Sequence, residues 1–170
     1  MASDTNWLDN EEQQIWRLLL RVHARLLARL DDDLEQAHGI GLPDYDVLVQ
    51  LSEVPDGSLR MAELAARLQL SPSGLTRRID SMVRRGLVAR EPCDSDGRGS
   101  FAVLTSEGLA MLDEAAPTHV AGVRQYLFDT LDHRGLGRLA SGLALVDAGL
   151  DEPARAPMAQ RTALTGKASA

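Results

Sequence analysis

Residues 61–105 read MAELAARLQLSPSGLTRRIDSMVRRGLVAREPCDSDGRGSFAVLT, and their punctuation divides them into two helices and a hairpin. Leu64, Ala65 and Leu68 recur at helical spacing up to Gln69 and Leu70, which predicts a short first helix. Ser71-Pro72 opens a second. A serine hydroxyl satisfies amides orphaned at a helix start, and proline fits the first turn because its missing N–H loses nothing there. Leu75, Ile79, Met82 and Val83 form the expected buried stripe of this second helix, which leaves Ser71, Ser73, Gly74, Thr76, Arg77 and Arg78 facing outward. Gly86 stops it. Residues 87–90 (LVAR) and 101–104 (FAVL) then read as two strands around a polar, glycine-rich loop at 94–100.

Helix, turn, helix and hairpin in that order make a winged helix, with the hairpin loop as the wing. Hydroxyls and arginines gathered near the start of the second helix suit a surface that reads base edges in a major groove, and short side chains let the backbone approach phosphate. Arg98 is the only cation of the loop, with Asp94 and Asp96 close by. A neighbouring aspartate holds a guanidinium in one direction by a charge-assisted hydrogen bond. The candidate DNA-contacting residues are therefore Ser71, Ser73, Gly74, Thr76, Arg77, Arg78, Arg90, Asp96 and Arg98.

These residues resemble the MarR-type transcriptional regulators. The matching text is Leu64-Ala65, then Ser71-x-Ser73-x-x-Thr76-Arg77-x-Ile79-Asp80, then Arg85-Gly86-Leu87-Val88-x-Arg90, then Asp96-Gly97-Arg98, and finally Leu104-Thr105-x-x-Gly108. Flanking helices extend the resemblance from about residue 11 to about residue 150. The resemblance implies a mainly α fold with a small β-hairpin. A winged helix-turn-helix domain at 43–105 is expected to join a helical dimerisation region built from N- and C-terminal helices, 11–42 and 106–150. It also implies a homodimer on a pseudo-palindromic DNA operator, acting as a repressor relieved by a small effector, with Arg98 entering the minor groove beside the recognition helix.

Whole-chain charge sharpens this reading. The 170 residues carry a formal charge of −7, which argues against a general nucleic-acid binder. Between Arg60 and Arg98, however, eight arginines (60, 67, 77, 78, 84, 85, 90, 98) stand against five acids (63, 80, 91, 94, 96), so this segment is +3 and the remainder −10. A basic segment inside an acidic protein fits a local DNA-reading surface whose surroundings repel DNA.

Residues 1–10 read as a flexible arm. From 11 to 37, Ile15, Leu18, Leu19, Val22, Leu26, Leu30 and Leu34 make one apolar stripe at steps of three and four, ended by Gly39-Ile40-Gly41. So long a helix needs a second surface to cover it, and in the resembled family that surface belongs to a second subunit. Residues 43–51 read as a helix opened by Pro43, with Asp44 and Asp46 favourable against its dipole. Residues 58–60 follow a Pro-Asp-Gly turn as a short third strand. Thr105 caps a helix running on toward Leu131, which Pro117 is expected to kink or interrupt. Residues 135–149 form a last helix weakened by Gly135, Gly137 and Gly142, and 151–170 read as a disordered tail.

The polar, acidic start and the lack of a long apolar run point to a cytoplasmic protein with no membrane partner. The single cysteine, Cys93, excludes an intrachain disulfide and a cysteine-based zinc cluster. Four scattered histidines and the absence of a glycine-rich phosphate loop point away from an enzyme, a cofactor or a bound metal. Two other readings stay open: a winged helix that binds another protein, and a thiol-responsive regulator sensing through Cys93. The resemblance places a crevice for aromatic acids or phenols between the dimerisation and DNA-binding parts, and Trp16, His23 and His119 are the candidates to line it.

Overall fold

The computed structural model describes residues 5–93 and 99–151. In chain order the elements are α1 (Asn10–His38), α2 (Leu42–Ser52), β1 (Ser58–Arg60), α3 (Met61–Arg67), α4 (Pro72–Arg84), β2 (Val88–Pro92), β3 (Ser100–Leu104), α5 (Ser106–Tyr126) and α6 (His133–Asp151), with a 3-10 turn at Phe128–Thr130. The chain falls into two compact units that divide after Asp129. The first holds everything up to α5 and the second holds α6.

Helix α1 begins with a reciprocal cap. The Asp9 carboxylate accepts the Glu12 N–H at 2.9 Å and the Glu12 carboxylate accepts the Asp9 N–H at 2.8 Å, so two orphan donors are satisfied at once. It ends at Gly39, whose φ of 63° lets its N–H turn back to the Glu35 carbonyl. The 29 residues span about 43 Å. The expected apolar stripe divides along this length: Leu30 and Leu34 are in the core, whereas Ile15 is 60% exposed, Trp16 52% exposed, and Leu18, Leu19 and Val22 are also uncovered.

The C-terminal third of α1 packs on α5. The close approach is made at Gly122, where a Cβ would stand 2.8 Å from Leu30 Cδ2. The Tyr126 hydroxyl donates to Asp33 at 2.9 Å, and His38 Nε2 pairs with Thr118 Oγ1 at 2.8 Å. Pro117 does not interrupt α5, which runs unbroken from Ser106 to Tyr126. Proline removes one bond to the carbonyl four residues back, here Asp113. Both residues lie on the exposed side of the helix, where water can take that carbonyl. The helix stops at Tyr126 rather than continuing to Leu131.

Helix α2 starts one residue ahead of its proline, at Leu42, and its first amide is bonded by the Asp31 carboxylate at 2.7 Å rather than by a cap of its own. The three strands form one antiparallel sheet in the order β1-β3-β2, with Leu59 opposite Ala102 and Ala89 opposite Val103. The core is apolar: Leu34, Ile40, Leu48, Leu51, Leu64, Leu75, Ile79, Met82 and Val88 are fully enclosed.

Val83 departs from the expected stripe, being 39% exposed. At about 100° per residue, Leu75, Ile79 and Met82 cluster within about 60° while Val83 lies about 70° from their centre. The same geometry separates the arginines of α4. Arg77 falls about opposite the stripe, but Arg78 and Arg85 fall together on one flank.

Helix α6, in the second unit, holds its 19 residues despite its glycines. The Asp132 carboxylate accepts the Gly135 N–H at 2.7 Å ahead of it. Its Leu143, Leu145, Val146 and Leu150 are exposed.

Candidate nucleic-acid interface

The turn between α3 and α4 requires Gln69 in the left-handed region, φ 53°. The Leu70 N–H then reaches the Ala65 carbonyl at 2.9 Å, closing α3 just before α4 begins. Ser71 caps α4 as expected, its Oγ accepting the Gly74 N–H at 3.1 Å with Ser73 Oγ 3.4 Å away. The Thr76 hydroxyl donates to the Pro72 carbonyl at 2.9 Å, which fixes its rotamer and leaves the oxygen's lone pairs as acceptors. Ser71, Ser73 and Arg77 are exposed and Gly74 and Thr76 half-buried. Together these residues form one hydroxyl-rich surface with an arginine in it.

The remaining arginines sort by partner. Arg78 Nη1 meets Asp44 Oδ1 at 2.7 Å, and Arg85 Nη1 meets Asp44 Oδ2 at 3.4 Å while its Nη2 donates to the Gly39 carbonyl at 2.7 Å. Arg78 therefore turns toward α2 instead of facing outward, as its place on the helix flank dictates. Asp44 lies in the first turn of α2 as expected and also holds two cations, Arg78 of α4 and Arg85 at its C-cap. Arg90 pairs with Asp80 at 3.0 Å, tying β2 to α4, and Arg67 pairs with Glu63 at 2.8 Å. Among the described residues Arg60, Arg77 and Arg84 have no carboxylate partner. Asp96 and Arg98 lie outside the described residues.

Cys93 is 5% exposed, and its N–H donates to the Gly99 carbonyl at 3.0 Å where the hairpin loop begins. Beside the hairpin is a cleft of about 560 Å³, with Arg60 and Met61 on one side, Pro72 and Thr76 of α4 on another, and Arg90 and Ser100 of the sheet on a third. A second cavity of about 300 Å³ lies between α1 and α2, lined by Leu27, Ala28, Asp31, Leu42, Pro43 and Asp46.

The three residues expected to line an effector crevice do not converge within one chain. His38, at the end of α1, bonds Thr118 next to His119. Counting back along α1, His23 is about 22 Å and Trp16 about 33 Å from that point. His119 instead stacks on Tyr45 with ring centroids 4.7 Å apart. Burial lowers the His119 pKa from its ordinary 6.5, against the opposing charge of Asp46. Burial raises the Asp46 carboxyl above its usual 3.8, against His119 and Arg78. The sequence marked Asp46 only for the dipole of α2 and not as a site residue, because its pairing with His119 joins residues 73 positions apart.

A depressed histidine pKa means that the folded protein binds fewer protons than the unfolded chain just below pH 6.5. Stability associated with neutral His119 is therefore complete above that value and declines as pH falls toward the lowered one. His119→Phe keeps a ring against Tyr45 and removes the titration. The variant is expected to lose less stability than the parent between about pH 7.5 and about pH 5.5 in urea melts. Equal losses in both proteins would exclude His119 as the source.

Comparison with known proteins gives this arrangement its context. A family model described as MarR family matches residues 38–99, which span the end of α1 to the loop after β2. The transcriptional repressor MprA of Escherichia coli K12 is 29% identical over 107 residues, covering 63% of this chain and 60% of MprA, so the match spans about three fifths of that relative. Two Streptomyces coelicolor structures match over nearly their whole length. AbsC, a MarR family transcriptional regulator, is 40% identical over 86% of this chain and 98% of its own, with a TM-score of 0.77. Sco3205, solved in complex with DNA, is 37% identical over 91% of this chain and 97% of its own, with a TM-score of 0.79. Identity at that level across the helices, the sheet and the capped α4 leaves one assignment: the chain belongs to the MarR family of transcriptional regulators.

Proposed function

We propose that this protein represses transcription in the cytoplasm by binding a pseudo-palindromic operator as a homodimer, with α4 as the recognition helix. The observation that carries the reading is the outward face of α4, where Ser73, Thr76 and Arg77 stand together and Arg77 has no carboxylate partner among the described residues. Neutral hydroxyls and an uncommitted guanidinium are what base edges in the major groove can use. The relative Sco3205, captured with DNA, supports it. The exposed apolar lengths of α1 and α6 supply the surface for a second copy. No described helix is long and apolar enough to cross a membrane.

The proposed effector site is the cavity between α1 and α2, where Asp31 and Asp46 disfavour a carboxylate and favour a neutral phenol whose O–H donates a hydrogen bond to the Asp46 carboxylate. Binding there weakens DNA binding, and by linkage DNA weakens the phenol equally. The test is sedimentation followed by titration of a promoter fragment at several salt concentrations. A dimer whose affinity falls steeply with salt is expected. A stable monomer at micromolar concentration, or a folded dimer indifferent to duplex DNA, would favour a protein-binding winged helix instead.

A further inference from the structure

The cleft beside the hairpin holds a cation that the α4 surface does not account for. Arg60 ends the edge strand β1 and stands in register with Phe101 of β3. Its guanidinium carbon lies 5.3 Å from the centroid of the Phe101 ring, within the range in which a cation is attracted to an aromatic face. The side chain is thus propped rather than free to sweep. It has no carboxylate partner among the described residues, whereas Arg90 in the same cleft is already tied to Asp80. The opposite wall is Pro72 and Thr76, one turn of the recognition helix, and Leu75 lines it as well. A cleft of this size, with a hydroxyl on one wall and on the other a guanidinium that has no carboxylate partner among the described residues, accommodates a length of phosphodiester chain.

We propose that Arg60 binds a DNA backbone phosphate at the rim of the major groove, with Phe101 as the residue that positions it. This rests on the reading of α4 as the recognition helix. Arg60 contributes affinity and register and no sequence choice, since a phosphate carries no base identity. Phe101 acts through Arg60 alone.

The experiment titrates cognate and scrambled duplex at several salt concentrations with the full-length protein and its Arg60→Ala, Arg60→Lys, Phe101→Leu and Arg77→Ala variants, with thermal melts run alongside. Arg60→Ala is expected to weaken both duplexes by the same factor, about three- to tenfold, and to flatten the salt slope by about one unit. Arg60→Lys keeps the slope. Phe101→Leu weakens both duplexes less than Arg60→Ala without changing the slope, and adds nothing in the Arg60→Ala background. Parental binding and slope in Arg60→Ala, while Arg77→Ala loses selectivity, would overturn the Arg60 contact and leave the α4 reading standing. Loss confined to the cognate duplex would make Arg60 a base reader and overturn the phosphate assignment. If Arg60→Ala and Arg77→Ala both bind as the parent does, the α4 reading fails and takes this one with it.

Discussion

Gly108→Ala should destabilise the protein by about 3 kcal/mol, in the range of forced overpacking against unyielding neighbours. Ordinarily the change would help, because alanine is favoured over glycine in a helix by about 1 kcal/mol. Here the added Cβ would stand 2.0 Å from the Leu87 carbonyl oxygen and 2.9 Å from Leu104 Cδ1. The obstruction is backbone, and that backbone is pinned. Thr105 Oγ1 donates to the Gly86 carbonyl at 2.7 Å, the Leu87 N–H bonds the Met82 carbonyl at 3.0 Å, and the Gly108 N–H bonds Thr105 Oγ1 at 2.9 Å. Relief requires moving the start of α5 away from the turn that leaves α4. Gly137→Ala is the control, since nothing lies within 4 Å of its added Cβ, and it should gain up to about 1 kcal/mol. Urea unfolding of both variants decides the matter. Equal or greater stability of Gly108→Ala relative to the parent would show that this junction is soft.

Arg77→Ala should cost about 1 to 3 kcal/mol on the cognate operator and much less on random duplex, narrowing the ratio between them. Arg77 is the arginine about opposite the stripe of α4, and its neighbours on that face, Ser73 and Thr76, are short enough to let it reach a base edge. Arg78→Ala is the informative companion. Its guanidinium is held at 2.7 Å by Asp44, so its loss should lower thermal stability and affect both duplexes alike. A uniform effect from Arg77→Ala, or a selective one from Arg78→Ala, would reverse the roles assigned to the two adjacent arginines.

The sequence was most readable where structure is decided by neighbours a few residues apart. Ser71-Pro72, Gly86, Gly39 and Thr105 end or begin helices through local hydrogen bonds, and each sits where its chemistry predicts. The hairpin and even the three-residue strand β1 followed from alternation and turn residues. Direction was harder to read. Arg78 differs from Arg77 by one residue, which is about 100° of rotation, and only the position of α2 reveals that this points it at Asp44. Val83 is a hydrophobe at a helical step that still lies about 70° from the centre of the stripe and is exposed. Pro117 was tolerated since its carbonyl partner faces water. Trp16, His23 and His119 do not meet within one chain because the first two lie about 33 and 22 Å back along α1 from the His38 corner. Asp46 could be read only for the dipole of its own helix, since the charges that face it, His119 and Arg78, come from α5 and α4.

The bridge from Asp44 to Arg78 and Arg85 bears on the mechanics of recognition. The two arginines are about 10 Å apart along the chain axis of α4, and both are bolted to the first turn of α2, with Arg85 fastened as well to the last carbonyl of the α1 corner. Two anchor points along a rod remove its freedom to roll. α2 and α4 are thereby joined at two points, so a displacement of α2 is expected to be felt by α4, with the Arg85 bond to Gly39 opposing it from the α1 side. In the proposed effector reading, a phenol seated between α1 and α2 acts on α4 through this bridge rather than by direct contact.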